Sequence, residues 1–146
     1  MSSFNDYRDL QIVNSPTGDG GIVLNDNFQT IADMLRVKTI TDKTNGVASP
    51  YTILATESGT IFTNRGAIAE VHFDLPAAAA GLFYEFAVVD ADGMQVNAQA
   101  GDTIRIGSNV TAAGGNVSTT DIGAALRLVA LDGSEWVMVP FGTSFS

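Results

Sequence analysis

The sequence holds one histidine, His72, set between two carboxylates as Glu70-x-His72-x-Asp74. Imidazole and carboxylate are the usual carriers of protons and ligands of metals, so chemistry is sought here first. Alternate residues of a strand share one face, which puts all three side chains together. Neighbours on one strand face diverge, however, so a second strand would have to complete a metal site. A solvent-facing polar strand face explains the same spacing without any ligand. Repeated around the axis of a symmetric oligomer, His72 would make a shared metal or pH-sensitive contact.

The remaining chemical signals are fragments. Asp90-Ala91-Asp92-Gly93 begins like a calcium loop, but the twelfth position is Gly101 where a bidentate Glu is needed. It reads better as a hairpin turn. Gly18-Asp19-Gly20-Gly21 precedes a helical segment as phosphate-cradling loops do, yet lacks the Gly-Lys-Ser/Thr ending. Ser108 and Ser134 have only His72 as a basic partner for a triad. Carboxylates are abundant enough to pair for glycoside cleavage, but abundance is not a constellation. Asn109-Val110-Thr111 and Asn116-Val117-Ser118 match the glycosylation sequon and read as loop polar residues, because no secretory signal precedes them. The sequence therefore assigns no catalytic residue, no metal ligand and no cofactor, and the expected protein is not an enzyme.

Composition narrows the class. The chain has 146 residues, 45% of them hydrophobic, with no cysteine. That suits one domain, or a domain with an arm, held by packing alone. The longest apolar run falls well short of the ~20 residues a membrane span needs. The formal charge is −9 and is uneven: residues 1–50 carry six acidic and four basic side chains, residues 51–146 ten and three. Nucleic-acid affinity depends on Lys and Arg neutralising phosphates, so an acidic body disfavours that partner, and it disfavours anionic membranes equally. Acidic surfaces favour solubility at high local density.

The elements that would position any site change character along the chain. Residues 1–23 read as an extended arm, rich in turn formers over Asn14–Gly21, with Tyr7, Leu10, Ile12 and Val13 as sparse apolar anchors. A partly disordered terminus would give the same composition. Residues 24–36 form the only segment with helical periodicity: Leu24, Phe28, Ile31 and Leu35 fall on one stripe, and Asn25 or Asp26 can cap the start. A helix of about three turns is marginal alone in water, so the stripe must pack on something. Residues 37–50 read as a linker with a weak strand signal. From Tyr51 to the C-terminus the period is two, most cleanly over Ala69–Leu75, where Ala69, Val71, Phe73 and Leu75 face one way. Pro76 ends that strand, and Ala77–Gly81 is a small-residue connection or a single helical turn. Leu82–Val89 is apolar on both faces except at Glu85, as in a central strand. Residues 107–121 read as a long loop or two weak edge strands, and a last hairpin turns at Asp132-Gly133-Ser134. Seven to nine short strands at a spacing of roughly 8–12 residues predict an antiparallel β-sandwich or barrel-like domain over 51–146.

Two groups of segments carry a resemblance. Asp9-Leu10-Gln11-Ile12-Val13-Asn14-Ser15-Pro16-Thr17-Gly18-Asp19-Gly20-Gly21 with Leu24-Asn25-Asp26-Asn27-Phe28 resembles the start of small tailed-bacteriophage virion proteins, the head fibres, capsid decoration (cement) proteins and tail fibres. Tyr51–Asn64, Phe73–Gly81, Val89–Gly93 and Ala100–Ile104 are similar to a β domain of phage structural proteins. The resemblance implies a homotrimeric virion component without enzymatic activity. On it, the arm binds the major capsid protein or another virion protein and the helix stripe forms the trimer seam. The β body projects from a capsid surface assembled in the host cytoplasm. A short tail fibre or adhesin, contacting a host glycan through residues 107–121, is the second expectation. A small carbohydrate-active enzyme is the third.

Overall fold

The computed structural model describes residues 37–41 and 50–142. The arm anchors Tyr7, Leu10, Ile12 and Val13 and the seam residues Leu24, Phe28, Ile31 and Leu35 lie outside them. The described chain is mainly β, with eleven strands and one short 3-10 turn at Ala55–Glu57. The strands are β1 (Val37–Thr39), β2 (Tyr51–Thr52), β3 (Ile61–Thr63), β4 (Val71–Asp74), β5 (Phe83–Ala87) and β6 (Met94–Asn97). They continue as β7 (Thr103–Ile106), β8 (Asn109–Val110), β9 (Asn116–Thr119), β10 (Ala125–Ala130) and β11 (Glu135–Pro140). Sheet A is ordered β1-β3-β5-β10-β11-β7-β8 and sheet B β2-β4-β6-β9.

From β1 to β7 each successive strand falls in the other sheet. Strands two apart in sequence are therefore parallel neighbours: β1 with β3, β3 with β5, β2 with β4 and β4 with β6. In sheet A the register repeats every 24 residues, through Val37, Ile61 and Glu85. Parallel neighbours need a crossover of a dozen or more residues, usually a helix; here a strand of the opposite sheet does that work. The β10–β11 hairpin then inserts between β5 and β7, antiparallel to β5 and parallel to β7 along its second strand.

Both sheets are thus mixed, and the expectation of a purely antiparallel domain is corrected. The cause lies in the turns. Asp90–Gly93 has the composition of a hairpin turn but hands the chain from β5 in sheet A to β6 in sheet B. Glu57–Gly59 and Gly101–Asp102 also cross between sheets. Gly59, Gly81 and Gly101 each adopt positive φ two residues before a strand of sheet A, a conformation glycine reaches without steric cost. The body also begins earlier than Tyr51, because Val37–Thr39, placed in the linker by its weak signal, is the edge strand of sheet A. Residues 107–121 resolve into β8 and β9 with short turns.

Side chains of both sheets enter one core. Phe62 of β3 and Phe86 of β5 are register neighbours, stacked with ring centroids 5.6 Å apart. Phe73 of sheet B meets them at 5.4 and 5.3 Å. Tyr51, Phe73, Val96 and Val117 form one continuous row across the inner side of sheet B. Tyr84 and Trp136 extend the aromatic contact, with centroids 5.8 Å apart.

One buried polar residue ties successive crossings together. Asn64 has no exposed surface and uses its amide fully. Its Nδ2 donates to the carbonyls of Asp90 and Gly93 at 2.9 and 3.0 Å. Its Oδ1 accepts from Val89 and Asp90 N–H at 2.7 and 2.9 Å. The turn 89–93 is thus held from inside by Asn64 of the β3–β4 crossing. Replacing Asn64 by Ala orphans these backbone groups, so chemical denaturation should show a loss of about 2–4 kcal/mol. Asn64→Asp should be worse at neutral pH, because a carboxylate cannot donate to the two carbonyls.

Candidate interaction surfaces

Lys38 sits in register with Phe62 and Phe86, on the core-facing row of sheet A. At this end of the row a cation replaces an aromatic ring. Its ammonium lies 4.5 Å from the centre of the Tyr51 ring, donates to the Tyr51 hydroxyl and pairs with Glu57 Oε1 at 2.6 Å. Tyr51 OH also donates to Glu57 Oε1 at 2.8 Å, and Glu57 Oε2 accepts the Leu54 N–H at 2.9 Å. Burial by itself would raise the Glu57 pKa, but the Leu54 N–H, Lys38 and Tyr51 together hold it below its ordinary value. For Lys38, burial is opposed by Glu57 and Tyr51, and the net shift is upward. Tyr84 donates to the Leu54 carbonyl at 3.0 Å, and its pKa is pushed up to about 12 by burial and by the charge of Glu57. The cluster closes the end of the core. The sequence hid it, because Lys38 reads as a linker residue and Glu57 as part of a turn.

Glu70, His72 and Asp74 do share the outer side of β4, but they do not converge. His72 is only 5% exposed, not solvent-facing, and its Nε2 lies 2.9 Å from Glu70 Oε2. Asp74 turns instead to sheet neighbours: Asn97 Nδ2 donates to its Oδ1 at 2.8 Å, and Gln95 Nε2 donates to Asn97 Oδ1 at 2.7 Å. Among the described residues no group of three His, Cys, Asp or Glu side chains is placed to hold a metal ion. In the turn 89–93, Asp90 Oδ1 accepts the Asp92 N–H at 3.3 Å, an Asx turn. The outer side of sheet B is a polar surface on which Gln95, Asn97 and Asp74 are hydrogen-bonded in a chain.

The outer side of sheet A is different. Besides the row Thr39, Thr63, Ala87 and Ala125, the register draws two rows across it. Val37, Ile61, Glu85, Arg127 and Val139 form one; Phe83, Val129, Val137, Arg105 and Val110 form the other. The charges within the rows are paired. Arg127 binds Glu85, and Arg105 grips Glu135 through two nitrogens at 2.8 and 3.0 Å. The Arg127 guanidinium also lies 5.5 Å from the Phe83 ring centre and 5.4 Å from that of Phe141. Val37, Val139 and Phe141 remain 63%, 40% and 55% exposed. A surface of this kind is suited to being covered.

No protein-family model matches the chain, and no curated protein matches it. No helix among the described residues is long and apolar enough to cross a membrane.

Lys38→Met should cost about 1–3 kcal/mol, below the range for a fully buried pair because the Lys38 side chain is 30% exposed. The depressed Glu57 pKa contributes stability that is present above its ordinary 4.5 and lost as the pH falls through the folded value. The raised Lys38 pKa contributes stability present below 10.5 and lost as the pH rises through the folded value. Thermal melts of Lys38→Met should lack the first of these losses to the extent that Lys38 lowers Glu57. Tyr84 adds an alkaline loss between its ordinary 10.0 and about 12, which Tyr84→Phe should remove while costing about 1 kcal/mol at neutral pH.

Proposed function

We propose that this chain is a non-enzymatic structural protein of a bacteriophage virion, a homotrimeric capsid decoration protein whose two sheets pack as a sandwich. In this reading residues 1–23 attach to the shell through Tyr7, Leu10, Ile12 and Val13. Leu24, Phe28, Ile31 and Leu35 form a seam on the three-fold axis, and the acidic body projects. The observation that carries an assembly role is the outer side of sheet A: two apolar rows, their charges neutralised in place, on a body otherwise rich in carboxylates. A face of this kind is what an assembling protein presents to its partner. The virion assignment rests on the resemblance of the N-terminal and β segments to phage structural proteins. The second reading, a short tail fibre or adhesin, places its glycan contact in residues 107–121, which hold the edge strands β8 and β9 and their turns.

Deleting residues 1–23 should abolish binding to purified shells while leaving a soluble trimer. Truncated protein that still decorates shells would count against the arm as the attachment segment. Phe28→Asp places a charge on the proposed axis and should weaken the trimer in light scattering, an effect that a solvent-facing position would not produce.

A further inference from the structure

We infer that the outer side of sheet A is a self-association surface, covered by a second copy of this chain. The inference deepens the oligomer of the proposed function and rests on that reading only for the number of copies. Two observations select the occupant. The first is the apolar pattern. Leu82–Val89 is apolar on both faces except at Glu85, yet among the described residues β5 is covered on one side alone: Tyr84 and Phe86 are buried while Phe83, Glu85 and Ala87 are partly open. The same holds in β10 and β11, where Val129, Val137 and Val139 face away from the core.

The second observation is charge. Residues 51–146 hold ten carboxylates and three arginines. Two of those arginines, Arg105 and Arg127, lie on this face, each neutralising a glutamate beside it. Eight carboxylates and Arg65 are left for the rest of that segment. Two copies of so acidic a body repel one another through most of their surfaces. The outer side of sheet A, its charges paired within the chain, is a face that two copies can bring together without that penalty. An acidic partner would be indifferent to it, and a basic partner would be drawn to the other surfaces.

Size sets the strength. Seven strands of two to six residues, at ~3.3 Å per residue and ~4.8 Å apart, give a face of roughly 450 Å², below the ~800 Å² per partner of a standard stable interface. The contact is therefore a supporting one, effective when another element raises the local concentration of copies.

The test uses the full chain in sedimentation equilibrium and light scattering, with Val139→Asp, Phe141→Asp, Phe28→Asp and, on the outer side of sheet B, Thr52→Asp. All three β-body positions are already open to solvent, so folding should survive, and thermal melts verify it. Self-association should weaken at least about tenfold in Val139→Asp and Phe141→Asp and be unchanged in Thr52→Asp. Raising the salt from about 0.05 M to 0.5 M should strengthen association of the wild-type chain, because screening relieves repulsion between acidic bodies. A dimer with this dependence upholds the surface and overturns the trimer. An oligomer insensitive to Val139→Asp and Phe141→Asp but lost in Phe28→Asp overturns the surface and leaves the trimer seam standing. A wild-type monomer overturns both.

Discussion

The body depends on the contact between Phe62, Phe73 and Phe86, where the two sheets meet. Because the chain changes sheet at each of its first seven strands, no local stretch can bury its own apolar side. β3 needs β4, from the opposite sheet, to cover it, and β5 to extend it. Each crossing is stabilised only when the next has formed, which is the logic of a short repeat array. The Asn64 amide enforces the same dependence in polar form, since its four hydrogen bonds reach 25 to 29 residues forward. The aromatic rings supply area and the amide supplies register. With no cysteine in the chain, nothing covalent assists them.

What was legible in the sequence was whatever depends on near neighbours. The alternation of Ala69–Leu75 gives β4 its buried side. The Asp132-Gly133-Ser134 turn gives the β10–β11 hairpin, where Asp132 Oδ1 accepts from the Ser134 and Glu135 N–H groups. The all-β class follows from the number of such segments. Strand partnership was not legible. A turn rich in Asp and Gly looks the same whether the next strand returns beside the last or crosses to another sheet, and the deciding contact for Asp90–Gly93 is a side chain at position 64. Lys38 shows the same limit in another way. A cation on a core-facing row contradicts simple patterning, and it becomes intelligible only once Tyr51 and Glu57 are brought to it. His72 reads as an exposed residue from its polar neighbours, yet Glu70 and the surrounding sheet enclose it.

The apolar outer rows of sheet A are the place where pattern and burial disagree. A strand that is apolar on both sides is ordinarily covered on both sides. Here the inner rows are buried and the outer rows are partly open, so among the described residues no second layer covers them. Arg105 and Arg127 fit that view. Although each side chain is 41% exposed, each is matched to a neighbouring glutamate, and Arg127 is flanked by two rings. The cost of later removing these groups from water is partly met within the monomer.

The ends of the sheets explain why association is directed to a face. A path that alternates between two sheets could in principle continue into another copy, strand by strand, because its terminal strands present unpaired backbone groups. Three of the four edge strands, β1, β2 and β8, are blunted. At one end the row that runs through Phe62 and Phe86 stops at Lys38, whose ammonium is held down by Tyr51 and Glu57, and β2 beside it is two residues long. At the far edge of sheet A, β8 is also two residues long. Short strands and an inward-pointing charge make poor templates for edge pairing. With three of the four edges blunted and the charges of the outer side of sheet A paired in place, these residues favour a finite assembly through that face over strand-by-strand growth.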